Sequence, residues 1–284
     1  MKPTRLFLLT LLAMIAFASN SLLCRAALKQ TTIDAASFTL IRILSGAVAL
    51  WLIMHLRRAP WEKAGSWISA LALFVYAAAF SFAYRTLSAG TGALLLFGAV
   101  QATMILWGLY RGERMRPPQF VGLALALGGL VWLVFPGLSA PPLGGSSLML
   151  AAGVAWGVYS LRGKGASYPA SSTTGNFLRA VPLALLLSAM LFPWARLDRA
   201  GAGYAVLSGA LASGAGYVIW YTALKDLKAA SAASVQLSVP VLAAGGGILL
   251  LGEPLSLRFL LASVAILGGI ALVVWEKPTP VRFR

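Results

Sequence analysis

Ten apolar stretches, each of roughly membrane-spanning length, follow one another along this 284-residue chain with only short polar breaks between them. They run at about 5–28, 35–55, 67–84, 89–110, 119–135, 146–163, 172–192, 204–224, 229–251 and 258–275. A helix rises 1.5 Å per residue, so about 20 apolar residues cross a bilayer core. Only 11% of the residues are charged, against about 25% in a soluble domain. Lipid must therefore be the main solvent. In lipid each segment has to satisfy its own backbone, which selects helices. The expected fold class is all-α integral membrane, with ten transmembrane helices.

The breaks are chemically reasonable. Arg57-Arg58-Ala59-Pro60 ends the second segment, Arg116-Pro117-Pro118 separates the fourth and fifth, and Gly252-Glu253-Pro254 turns between the ninth and tenth. The net charge is +16, but Lys and Arg sit in short clusters at segment ends and form no single basic face. Membrane lipid, not nucleic acid, is the expected partner. With the N-terminus in the cytoplasm, fifteen Lys and Arg fall on the cytoplasmic side, among them Arg57, Arg111, Arg162 and Lys225. Six fall outside: Arg25, Lys29, Arg85, Arg196, Arg199 and Arg258. The positive-inside rule then places both termini in the cytoplasm, as in a multi-pass protein of a bacterial-type inner (plasma) membrane. The start imitates a secretory signal, and Ser21-Leu22-Leu23-Cys24 imitates a lipoprotein processing site. Leu23 is too large for that site, so the stretch is read as an inserted first helix. Cys24 is the single cysteine, which excludes an intramolecular disulfide.

The halves repeat. Shifted by 140 residues, Leu87, Ala89, Ala93, Leu109, Gly112, Glu113, Leu127, Gly128 and Gly129 meet identical residues at 227, 229, 233, 249, 252, 253, 267, 268 and 269. An apolar bias supplies leucines and alanines, but not a repeated Gly-Glu or Gly-Gly. At an offset of 137, Arg25 also meets Arg162. Units 1–140 and 141–284 then hold five helices each. An odd count places them in opposite orientations, the architecture of many secondary transporters with a solute site near the midplane.

This pattern resembles the EamA-type drug/metabolite transporter superfamily. The resemblance rests on the Gly-Glu turn and following Gly-Gly of each half. It also rests on Arg42, on Ala155-Trp156 with Tyr159, and on Ala223-Leu224 through Ala229-Ala230-Ser231 before Pro240. It implies a ten-helix exporter of small metabolites, with a YddG-like exporter of aromatic amino acids as the nearest type. Ala18-Ser19 stand where the family usually has Trp-Gly.

Polar groups in lipid need protein around them. Asn20, Gln101, Gln236 and Ser238 are expected either to hold a small-molecule solute or to link helices. Arg42 and Arg179 each lie seven residues inside a helix, roughly 10 Å deep. Either they hold a solute carboxylate, or they snorkel and bond backbone; the depth favours the second reading. Tyr76, Phe80, Phe97, Trp156, Tyr159, Tyr217 and Trp220 are expected in a midplane core or solute wall, with Trp156 and Phe97 foremost. Pro240, followed by Gly245, is expected to hinge or kink the ninth helix. All seven acids fall in loops or at helix ends, which leaves no midplane carboxylate to relay protons. No metal cluster, phosphate loop or nucleophilic triad can be assembled. No cofactor is expected, and the chain reads as a carrier and not as an enzyme. Oligomeric state is not legible.

Overall fold

The computed structural model describes residues 2–58, 65–112, 115–137, 140–163, 168–224, 226–227 and 235–275, and no strand occurs among them. The helices are α1 (Pro3–Gln30), α2 (Ala35–Leu56), α3 (Trp67–Ala83), α4 (Ala89–Tyr110), α5 (Pro117–Val134), α6 (Leu143–Gly163) and α7 (Pro169–Met190). A 3-10 turn (Phe192–Trp194) leads to α8 (Arg199–Val206). A π-helical stretch (Leu207–Ala215) joins α8 to α9 (Gly216–Leu224), followed by α10 (Ser238–Leu251) and α11 (Leu257–Trp275). By length and composition, six helical segments can cross a membrane: Pro3–Gln30, Ala35–Leu56, Ala89–Tyr110, Pro117–Val134, Arg199–Leu224 and Leu257–Val274. Trp67–Ala83 and Ser238–Leu251 are apolar but shorter.

Local chemistry sets the boundaries. Asp34, Ser66, Ser88 and Asp198 accept backbone N–H groups at the starts of α2, α3, α4 and α8, which satisfies donors a helix leaves open. Proline occupies the first turn of α1, α5 and α7, where its missing N–H costs nothing. The repeated Gly-Glu now has a cause. Gly112 and Gly252 both stand at positive φ, +89° and +62°, just past the ends of α4 and α10. A side chain there would strain the backbone.

The ninth segment lies only partly within the described residues. Leu237 is a turn and α10 begins at Ser238, while residues 228–234 lie outside the described residues. Pro240 is the third residue of α10, and helix at Val235–Gln236 precedes the turn at Leu237. Its missing N–H leaves the Gln236 carbonyl without the i→i−4 donor, next to the turn at Leu237. Gly245 has open space where a side chain would stand; the close approaches belong to Gly246, against Leu22, and Gly247, against Glu253.

The halves pack across each other. α2 lies along α7, α3 and α4 along α6, and α5 along α11. α1 sits against the α8–α9 segment and α10, and α4 against α10. Gly122, Gly129 and Gly269 shape the seam of α5 with α11. A Cβ at Gly122 would stand 2.5 Å from the Gly269 carbonyl oxygen, and one at Gly129 would stand 2.9 Å from the Ala265 methyl, so close approach requires glycine there. Gly153 and Gly157 do the same for α6 against Leu96, Ala99 and Thr103 of α4. Outward faces carry exposed Leu8, Trp51, Leu71, Val131 and Leu261. Water would not tolerate such a surface, but lipid does.

Candidate functional site

A small cavity lies where the halves meet. Its walls are Phe17, Asn20 and Ser21 of α1, Tyr76 and Phe80 of α3, Leu96 and Phe97 of α4, Trp156 of α6 and Tyr217 of α9. Its free volume is about 20 Å³, room for a single water. Trp156 is the hub of the aromatic wall, with ring centroids 4.8 Å from Tyr76, 5.1 Å from Tyr217 and 5.3 Å from Tyr159. Aromatic pairs at these separations hold one another in place.

Arg42 lies beside this wall. It does not snorkel: only 2% of it is exposed. Its guanidinium carbon sits 4.7 Å from the Phe80 ring centroid and 5.1 Å from that of Tyr76, within range of a cation–π contact. Nη2 donates to the Tyr76 hydroxyl at 2.9 Å. Asn20 Nδ2 donates to the same oxygen at 3.1 Å, and the Ser208 hydroxyl donates to Asn20 Oδ1 at 2.6 Å. Ser208 belongs to the π-helical stretch, a backbone form often found at functional sites. Gly209 allows this stretch to touch α2, since a Cβ there would overlap the Arg42 carbonyl oxygen. No described carboxylate pairs with Arg42, and its Nη1 and the Tyr217 hydroxyl are buried without any partner.

Arg179 occupies the matching position of the second half at the 137-residue offset. It is half-buried and donates to the Gly175 carbonyl one turn back at 3.0 Å. Of the other expected residues, Asn20, Tyr76, Phe80, Phe97, Trp156 and Tyr217 come together at the cavity. Tyr159 and Trp220 lie one layer out; Tyr159 accepts from Asn176, and Trp220 meets the Phe17 ring edge-on at 5.9 Å. Gln101 is buried on α4 but does not line the cavity. Gln236 is half-buried before α10, and Ser238 is exposed with its hydroxyl donating to the Val235 carbonyl. Neither reaches the cavity. Phe17, Ser21, Leu96 and Ser208 were not expected. Phe17, Asn20 and Ser21 share one face of α1 at i, i+3 and i+4, a spacing visible in the sequence.

One turn beyond Ser21, a second arginine closes the same end. Arg25 Nε pairs with Glu253 Oε1 at 3.0 Å, and Nη1 donates to the carbonyls of Tyr84 at 2.9 Å and Arg85 at 3.3 Å. The other Glu253 oxygen accepts the Ala89 amide at 2.8 Å, at the positive end of α4. Glu253 is thus in a turn, as expected, yet only 6% exposed. Two more ties join the halves nearby. Arg196 donates its amide to Asp34 Oδ2 at 2.9 Å, and Thr32 donates its amide to Asp198 Oδ2 at 3.0 Å. Burial pushes the Asp34 carboxyl up, but hydrogen bonds from Ser37, Arg196 and Ala36 outweigh it and hold the group below its ordinary 3.8. Asp198 is held low chiefly by the Gly201 amide. Glu62, Glu113 and Glu276 lie outside the described residues.

Comparison with known proteins agrees with this architecture. The sequence profile of the EamA-like transporter family matches residues 4–135 and again residues 143–275. An uncharacterized protein of Pseudomonas aeruginosa is 60% identical over 275 residues, covering 96% of each chain. The threonine/homoserine exporter RhtA of Escherichia coli K12 is 35% identical over 164 residues, about half of each chain (54%). A solved crystal structure superposes with a TM-score of 0.65 at 20% identity, over 93% of this chain and 97% of its own; it shares the fold. The double profile match and the exporter relative, together with the apolar helical segments, make this a multi-pass membrane transporter of a small-molecule solute and not an enzyme; the chain belongs to the EamA-like transporter family.

Proposed function

We propose that this chain is a secondary transporter of the bacterial inner membrane that exports small organic metabolites, foremost amino acids with aromatic or large apolar side chains. It works by alternating access between two inverted five-helix repeats, residues 1–140 and 141–284, with both termini in the cytoplasm. The observation that carries the reading is the narrow cavity itself, lined by seven residues of the first half and two of the second. At about 20 Å³ it cannot hold an amino acid, so the halves must move apart to load and release one. The helix contacts favour two equivalent halves. Exchanging the first and second five helical segments maps α2–α7, α4–α10 and α5–α11 onto themselves and swaps the α1 and α3 contacts across the halves. The amino-acid class is favoured by the exporter relative, whose named solutes are threonine and homoserine, and by aromatic walls beside Asn20 and Ser21.

The aromatic walls also favour a second reading, efflux of assorted hydrophobic compounds. Counterflow in proteoliposomes separates the two. A panel of amino acids including threonine and homoserine, nucleosides and cationic dyes is expected to give saturable exchange with amino acids alone. Trp156→Ala is expected to shift preference among their side chains. Exchange of the dyes alone would select the second reading, and linear, unsaturable flux of every solute would select a channel.

A further inference from the structure

We propose that the cavity is a carboxylate site whose ligand is a singly charged organic acid with an apolar body, and that an amino group on that acid is dispensable. This rests on the transport reading above and narrows its solute. Three buried donors at or directly behind the cavity wall lack an acceptor: Tyr76 and Tyr217 line the cavity, and Arg42 stands behind Tyr76. Arg42 Nη1 and the Tyr217 hydroxyl have no partner. The Tyr76 oxygen already accepts from Arg42 and from Asn20, which uses both lone pairs and leaves its own O–H to donate elsewhere. Buried donors are almost always satisfied, so three unspent ones mark a missing acceptor. A guanidinium favours a planar anion that takes two parallel hydrogen bonds, which a carboxylate supplies.

The charge balance sets the rest. Arg42 is a buried cation with no described carboxylate partner; Asp34, Asp198 and Glu253 are each engaged elsewhere. A solute carboxylate would neutralise it. An added ammonium would restore a positive charge to the same low-dielectric space, where aromatic faces and the Ser21 hydroxyl, but no carboxylate, line the wall to hold it. Acids without the amine therefore bind at least as well as the corresponding amino acid. Amines without the acid are excluded by Arg42.

The test uses one phenyl body with interchangeable ends: 3-phenylpropionate, phenylalanine, phenylalaninamide and phenethylamine. Binding to the purified full-length protein is read from thermal stabilisation, and exchange from counterflow in proteoliposomes. 3-Phenylpropionate is expected to bind no more weakly than phenylalanine, and both at least about tenfold more tightly than the amide or the amine. Arg42→Gln is expected to abolish that preference. Tyr217→Phe, which deletes only an unspent donor, is expected to weaken both acids several-fold with the fold intact, and it serves where Arg42→Gln does not fold. Exchange of 3-phenylpropionate without any amino acid would remove the amino-acid reading and leave the carboxylate site standing. The proposal is overturned if phenylalanine is exchanged while phenethylamine competes equally, if neither acid binds, or if Tyr217→Phe leaves the acids' affinities unchanged.

Discussion

Arg25 and Arg42 lie on consecutive helices of the same half, both largely withdrawn from solvent, and they are solved in opposite ways. Arg25 has a carboxylate, two carbonyls and a helix N-terminus gathered around it. Arg42 has one phenol and two ring faces. A satisfied buried charge is a fastening, because removing either partner strands the other. A half-satisfied one is held in place for something that comes and goes. On the proposed reading, the contrast separates the part that closes the transporter from the part that receives its solute.

Breaking each arginine sharpens the comparison most. Glu253→Gln, which strands Arg25, is expected to cost about 3–5 kcal/mol of stability. Arg42→Gln should cost no more than about 1 kcal/mol, the worth of its single hydrogen bond. Thermal unfolding in one detergent compares them directly. Equal losses would make Arg42 a structural residue. The next largest effect is expected from Gly209→Ala, whose methyl would meet the Arg42 carbonyl oxygen and Ser45 Oγ. Pushing the π-helical stretch off α2 should cost roughly 1–3 kcal/mol and depress counterflow while Arg25–Glu253 stays paired. Tyr76→Phe removes the shared acceptor of Arg42 and Asn20, at about 1–2 kcal/mol for the groups left unmatched. Such a loss in the same unfolding experiment, with solute binding weakened, would tie the phenol to the site.

The smallest effect concerns pH at the closed end. Asp34 is held below 3.8 when folded, so its contribution is fully present above that value and fades as pH falls through the lower folded one. Stability is expected to be flat above about pH 4 and to decline below it, with Asp34→Asn flattening the acid limb. An acid limb unchanged in that variant would show that the tie to Arg196 carries no stability.

Much of this was legible in the residues. Apolar length located the helical segments because lipid leaves the backbone no alternative, and the offset of 140 residues found Gly112 and Gly252, whose shared left-handed geometry the structure supplies. The aromatic wall was legible too, because its members sit away from segment ends. Arg42 was not. Its depth on α2 permits snorkelling, and only the arrival of Tyr76 and Phe80 from α3 turns it inward. Gln236 and Ser238 stand apart from the cavity because a turn at Leu237 separates them just before α10, and apolar length alone carries no signal for such a break. The buried pairing of Glu253 escaped because its partners lie 164 and 228 positions away.

The central claim is that one cavity opens in turn to each side, with Arg25–Glu253 fastening one of them. Ser21 lines the cavity one turn from Arg25, so a cysteine there in a Cys24→Ala background reports access to both. An impermeant thiol reagent is added to sealed vesicles from either side, with Glu253 intact and with Glu253→Gln. The account predicts that the substitution raises the labelling rate from the non-cytoplasmic side and lowers it from the cytoplasmic side. Rates that rise together on both sides, or that do not change, would contradict it.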